Sequence, residues 1–189
     1  ARDACPVTCH SCQDSIIIGA GVGGTGTRSL ALAVKKLGYR HTCHHSNETV
    51  EAILDAAALG NFVTPFKRAD AWFDNPIPAL LRPLICSFPN YKIIQTVRSD
   101  NWTEPHVTCS EELATNKIGN RKPHLAMVRC MTYGSLCPPM SVQKRVHAQL
   151  DEFITTHVPP ERLLKMNMAK FNWGALAHFL GKKVPDSKA

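Results

Sequence analysis

What this chain lacks narrows it first. No run of apolar residues approaches the roughly 20 that a membrane-spanning helix requires. No block of like charge occurs: 22 Lys and Arg stand against 15 Asp and Glu, a net charge of +7, and the basic residues are spread along the sequence. Such a balance favours anionic ligands, while the absence of a basic face interleaved with aromatics argues against a nucleic-acid partner. There is no internal repeat and no low-complexity segment, so a repeat architecture is not expected. The pattern GxxxxGK[ST] is missing as well, because no Lys precedes Thr25 or Thr27, which argues against an ordinary ATPase or GTPase.

What is present is organised around Ser15 to Gly38. Ser15-Ile16-Ile17-Ile18 is a β-branched run of the kind that forms a buried parallel strand. Gly19 to Gly26 then supplies five glycines in eight residues. From Thr27 onward, Leu30, Val34 and Leu37 recur at helical spacing, and Gly38 is a natural stop. Strand, glycine loop and helix N-terminus in succession make a device for holding phosphate, since bare backbone N–H groups and the positive helix end face the anion. Gly19-x-Gly21-x-x-Gly24 also fits a dinucleotide fingerprint, the basis of an alternative reading as a Rossmann oxidoreductase using NAD or FAD. That reading wants an acidic residue about 20 positions on, at the end of the second strand. Tyr39 to His45 contains none, and the first carboxylate is Glu48.

With 189 residues, the chain is long enough for one domain around one sizeable core. It opens on Ala1 rather than Met, which leaves room for a removed leader or anchor. Eight cysteines (Cys5, Cys9, Cys12, Cys43, Cys86, Cys109, Cys130 and Cys137) and two glycosylation sequons, at Asn47 and Asn101, tilt the expectation toward an oxidising compartment. The protein is therefore expected to be a disulfide-bonded glycoprotein of the secretory lumen (Golgi), or secreted. Cys5-x-x-x-Cys9-x-x-Cys12 has the spacing of an iron–sulfur ligand set, but it lies on a terminal lead-in, residues 1–13, where disulfides are the better reading than a cluster or zinc. Pairing is not readable from spacing.

Further along, Tyr39–Cys43 reads as a second strand and Glu48–Leu59 as a helix capped by Ser46 or Asn47 and ended by Gly60. Phe62–Thr64 and Ala69–Asp74 look extended, and Pro76-x-Pro78 opens a short helix reaching Cys86. Tyr91–Arg98 is the clearest later strand. Residues 105–140 read as a long loop region, a lid or a disulfide-braced excursion. An amphipathic helix follows over Ser141–His157, with Val142, Val146, Leu150 and Phe153 on one stripe. A strand over Leu163–Asn167 leads to a last helix carrying Trp173, Leu176, Phe179 and Leu180 and closed by Gly181. Strands alternating with helices imply an α/β sheet covered on both faces.

Four segments in the right order carry a resemblance. They are Gly23-Gly24-Thr25-Gly26-Thr27-Arg28-Ser29-Leu30, the strand Phe88 to Arg98 with Trp102 after it, Val158 to Leu164, and Trp173 to Pro185. Together they resemble the P-loop sulfotransferase superfamily, in its branch of short sulfotransferase-like proteins. The resemblance implies a P-loop-type parallel sheet flanked by helices over residues 14–189. It also implies transfer of a sulfuryl group from 3′-phosphoadenosine 5′-phosphosulfate (PAPS), as co-substrate, to a hydroxyl or amine of a carbohydrate or small molecule, without a metal. Gly23, Gly24, Thr25, Gly26, Thr27, Arg28 and Ser29 would then hold the 5′-phosphosulfate, and Arg98 the 3′-phosphate.

Two departures accompany it. Gly24 stands where the family has Lys or Arg, so Arg28, Lys67 or Arg68 would have to supply that charge. After Arg98 no Ser falls in the family's place, leaving Ser99 or Thr103 as substitutes. A relative that binds a nucleotide or sulfated ligand with weakened turnover is the alternative these departures raise. His44 and Asp74 lie where the related branch carries a His and an Asp-x-Pro-like element, and are the candidates for the base. Trp72, Phe73, Trp102 and Trp173 are expected in the core.

Overall fold

The computed structural model describes residues 15–39, 41–44, 46–98 and 123–185. The Cys-rich lead-in, Ser99, Thr103, Trp102 and the sequon at Asn101 lie outside the described residues. Five parallel strands form one sheet: β1 (Ser15–Gly19), β2 (Thr42–His44), β3 (Ala71–Phe73), β4 (Asn90–Val97) and β5 (Leu163–Asn167). Their order across the sheet is β2-β3-β1-β4-β5. The usual dinucleotide-binding order sets the second strand beside the first; here β3 separates them. This overturns the Rossmann alternative.

Parallel strands joined by crossovers are buried on both faces, and the alternation of side chains assigns them to two cores. Ile16, Ile18, Trp72 and Ile93 face one way, against α2 (Asn47–Leu59), α3 (Val63–Phe66), α4 (Leu81–Ser87) and α6 (Met140–His157). Ile17, Phe73, Ile94 and Met166 face the other way, against α1 (Thr27–Lys36) and α7 (Trp173–Leu180). Ile16, Ile17 and Ile18 are 2%, 5% and 0% exposed. At about 1.5–3 kcal/mol for each fully buried aliphatic side chain, β1 anchors both layers. Trp72 and Phe73 are fully buried as expected, and Trp173 packs on the second core. Among the described residues no helix is long and apolar enough to cross a membrane.

Three local expectations change. Phe62–Thr64 is not extended: Asn61 Oδ1 accepts the Thr64 N–H at 3.1 Å, and Pro65 sits in the first turn of α3, where a missing N–H costs no hydrogen bond. The loop expected over residues 105–140 contains a helix, α5 (Pro123–Tyr133), which starts on Pro and stops at Gly134 in the left-handed region, φ 71. The second strand begins later than expected, at Thr42, where the ladder to its single neighbour, β3, starts with Thr42 opposite Ala71.

The cysteines among the described residues are of two kinds. Cys43 is a buried free thiol and Cys130 an exposed one, whereas Cys86 and Cys137 are disulfide-bonded.

Candidate active site

In a parallel sheet the strand C-termini share one edge, which is where α/β folds bind ligands. Here that edge brings together the glycine loop after β1, His44 at the end of β2, Asp74 after β3, and Thr96 and Arg98 at the end of β4. The loop runs straight into α1. Gly26, the N-cap residue, has φ 99, and α1 has no side-chain cap and no acidic residue in its first turn. The first intrahelical bond runs from Leu30 N–H to Gly26 O, at 3.0 Å, so the amides of Thr27, Arg28 and Ser29 have no acceptor within the helix.

Thr25 fastens this loop. Its hydroxyl lies 2.6 Å from Val22 O and 2.6 Å from Thr96 Oγ1, and its backbone N–H also goes to Val22 O. A hydroxyl has one proton, so Thr25 donates to the carbonyl and Thr96 donates to Thr25. With both donors engaged inside the protein, Thr25 braces the loop against β4 and leaves the ligand side to its neighbours. Gly21 makes the brace possible. A Cβ there would come 2.8 Å from Thr25 Oγ1 and closer still to Thr96 Oγ1.

Beside the loop, His44 Nε2 is 3.1 Å from Thr27 Oγ1 and 3.3 Å from Asp74 Oδ2. The His44 and Asp74 side chains are only 16% and 14% exposed, so their interaction is shielded from solvent. Register brings them together: His44 pairs with Phe73, whose successor is Asp74. Asp74 itself has φ 71, a region that Asp tolerates better than most residues, and its Oδ1 accepts the Asn75 N–H at 2.9 Å. Next to His44, Cys43 donates its thiol to Glu48 Oε2 at 3.1 Å. Burial above all, then the Glu48 carboxylate, pushes that thiol up to about 12, so Cys43 is no nucleophile near neutral pH. Among the described residues no three His, Cys, Asp or Glu side chains are grouped to hold a metal ion.

The cations divide. Arg28, exposed in the first turn of α1, and Arg98, exposed just past β4, both belong to the site edge. Lys67 and Arg68 precede β3 and so lie toward the opposite edge, and Arg68 is held by Asp55 at 2.6 Å. They are not substitutes for a basic residue at position 24. Gly24 has φ 78, so a long side chain there would be strained, and its absence suits the loop's conformation.

Two residues at this site escape sequence reasoning. Thr96 is one; the only signal was a pair of polar residues, Gln95-Thr96, closing an otherwise apolar strand. Met168, past β5, is the other: its side chain lies where a Cβ on Gly26 would fall, 2.6 Å from its Cγ. The family model described as "Sulfotransferase domain" matches residues 16–188. No curated protein matches the chain.

Proposed function

From the premise that the chain belongs to the sulfotransferase-domain family, we propose that it transfers a sulfuryl group from PAPS to a hydroxyl or amine of a carbohydrate or small-molecule acceptor. One observation carries this reading. A glycine loop braced to β4 by the Thr25–Thr96 bond opens onto an uncapped, acid-free helix N-terminus, with the His44–Asp74 pair beside it. The residues suit the group they would hold. Gly23, Gly24 and Gly26 carry no side chain to obstruct a phosphosulfate, and the first-turn amides of Thr27, Arg28 and Ser29 point their donors along the helix axis.

Arg98 would take the 3′-phosphate with its planar fork of donors, and Arg28 would add charge at the helix start. PAPS supplies the activated sulfuryl group. His44 and Asp74 manage the acceptor's proton and the charge that develops as the sulfuryl group moves. The cysteine content and the exposed side chain of Asn47, the first residue of a sequon, favour a luminal or secreted setting. A glycine loop with no cationic side chain favours, as a second reading, a relative that retains nucleotide binding with little turnover.

The test is calorimetric titration with adenosine 3′,5′-bisphosphate, with NAD and FAD as comparison ligands. Micromolar binding of the bisphosphate is expected, weakened about ten- to hundredfold by Arg98→Ala, the worth of a charge-assisted contact. A protein that ignores the bisphosphate sinks the proposal.

A further inference from the structure

The loop Gly19–Gly26 contains no ionisable side chain, and a side chain at position 24 would be strained by its positive φ. Charge opposite a bound anion must therefore come from neighbouring elements. Among the described residues, His44 is a titratable side chain within hydrogen-bond distance of Thr27, the first residue of α1. The nitrogen that reaches Thr27 is the same one that faces Asp74 Oδ2. A carboxylate oxygen accepts, so a hydrogen on Nε2 suits this contact and would leave no lone pair there to deprotonate an acceptor.

We infer, resting on the sulfuryl-transfer reading above, that His44 works protonated at Nε2, as donor and cation toward the anion at the α1 N-terminus, with Asp74 as both its counter-charge and the base. In the step itself, the acceptor oxygen forms its bond to sulfur while the bond from sulfur to the bridging phosphate oxygen breaks. The bridging oxygen keeps the electron pair and takes over from Asp74 the hydrogen bond of His44 Nε2–H, where negative charge gathers. The acceptor's proton passes to Asp74 and on to water. Asp74, after β3, faces the imidazole as its counter-charge, and the positive end of α1 lies on the side of Thr27. Glu48, on α2, is engaged by the Cys43 thiol.

Two variants separate a cation from a base. His44→Arg keeps the charge and removes any basic nitrogen, whereas His44→Gln keeps an N–H donor and removes the charge. Calorimetry with adenosine 3′,5′-bisphosphate, at about pH 6 and about pH 8.5, brackets imidazole titration. The fall in wild-type affinity across this range should exceed that of His44→Arg by about tenfold, and His44→Gln should bind about tenfold more weakly than wild type at the lower pH. In transfer assays His44→Arg should stay within about tenfold of wild type and lose its alkaline decline, while His44→Gln should fall on the order of 10²-fold. An inactive His44→Arg with unchanged bisphosphate affinity, beside a wild-type rate that rises through the imidazole range, would make His44 the neutral base and overturn the inference. Absence of bisphosphate binding by wild type at both pH values would instead overturn the sulfotransferase reading, and this inference with it.

Discussion

The two edges of the sheet use their polar side chains in opposite ways. At the N-terminal edge, long cations are tied up by the fold. Lys92 reaches the Phe179 carbonyl and lies over its ring, Arg162 reaches the Pro89 carbonyl and lies over Tyr91, and Lys182 lies over Tyr39. A cavity of about 320 Å³ opens there, lined by Tyr39, Asp70, Tyr91, Lys92 and Arg162 among others. At the C-terminal edge the bonds are between short side chains, Thr25 with Thr96 and His44 with Thr27 and Asp74, while Arg28 and Arg98 remain exposed. A net charge of +7 is thus unevenly available. Among the described residues, three cations at one end are held against carbonyls or rings, and those exposed at the other end can meet an anion.

Substitutions can break or sharpen that contrast. The largest effect is expected from Gly21→Ala, whose methyl would collide with both hydroxyls of the brace. It should cost about 3 kcal/mol in urea denaturation and remove detectable bisphosphate binding. Thr96→Val is nearly isosteric and deletes only the brace. It should cost about 1 kcal/mol, weaken the bisphosphate about five- to tenfold, and be rescued by Thr96→Ser. Smallest at the site should be Arg162→Met. It should lower stability by up to about 1 kcal/mol through the lost carbonyl bond and ring contact, and leave bisphosphate affinity where it was. If Arg162→Met weakened the nucleotide as much as Thr96→Val does, the division of labour between the edges would be wrong.

Much of the fold is legible in the sequence because its signals are local. The run Ile16-Ile17-Ile18, the glycines after it and the 3.6-residue spacing from Leu30 to Leu37 announce β1, the loop and α1, and β5 lies where its apolar run predicts. The start of α5 is hidden because its Pro and Gly punctuation sits in a stretch already rich in breakers. Strand order is hidden for a different reason. An acidic residue sought at the end of the second strand is absent, but the strand next to β1 is the third, and Asp74 stands at its end. The sequence offers His44 and Asp74 as separate candidates; only the β2–β3 ladder makes them a pair. Nor does a threonine in a glycine loop reveal whether it faces a ligand or, as Thr25 does, the protein.

The ladder that carries His44 has a consequence for how such a chain can change over generations. β2 is three residues long and pairs through Thr42 with Ala71, Cys43 with Trp72 and His44 with Phe73. Neighbouring side chains on a strand point to opposite faces, so a slip of one position would turn the imidazole away from Asp74, and a slip toward Cys43 would put a thiol in its place. Point substitutions in the turn between α1 and β2 leave that phase intact. A single-residue insertion or deletion there would not, and the length of this turn should therefore vary less than its composition among descendants that keep the pair.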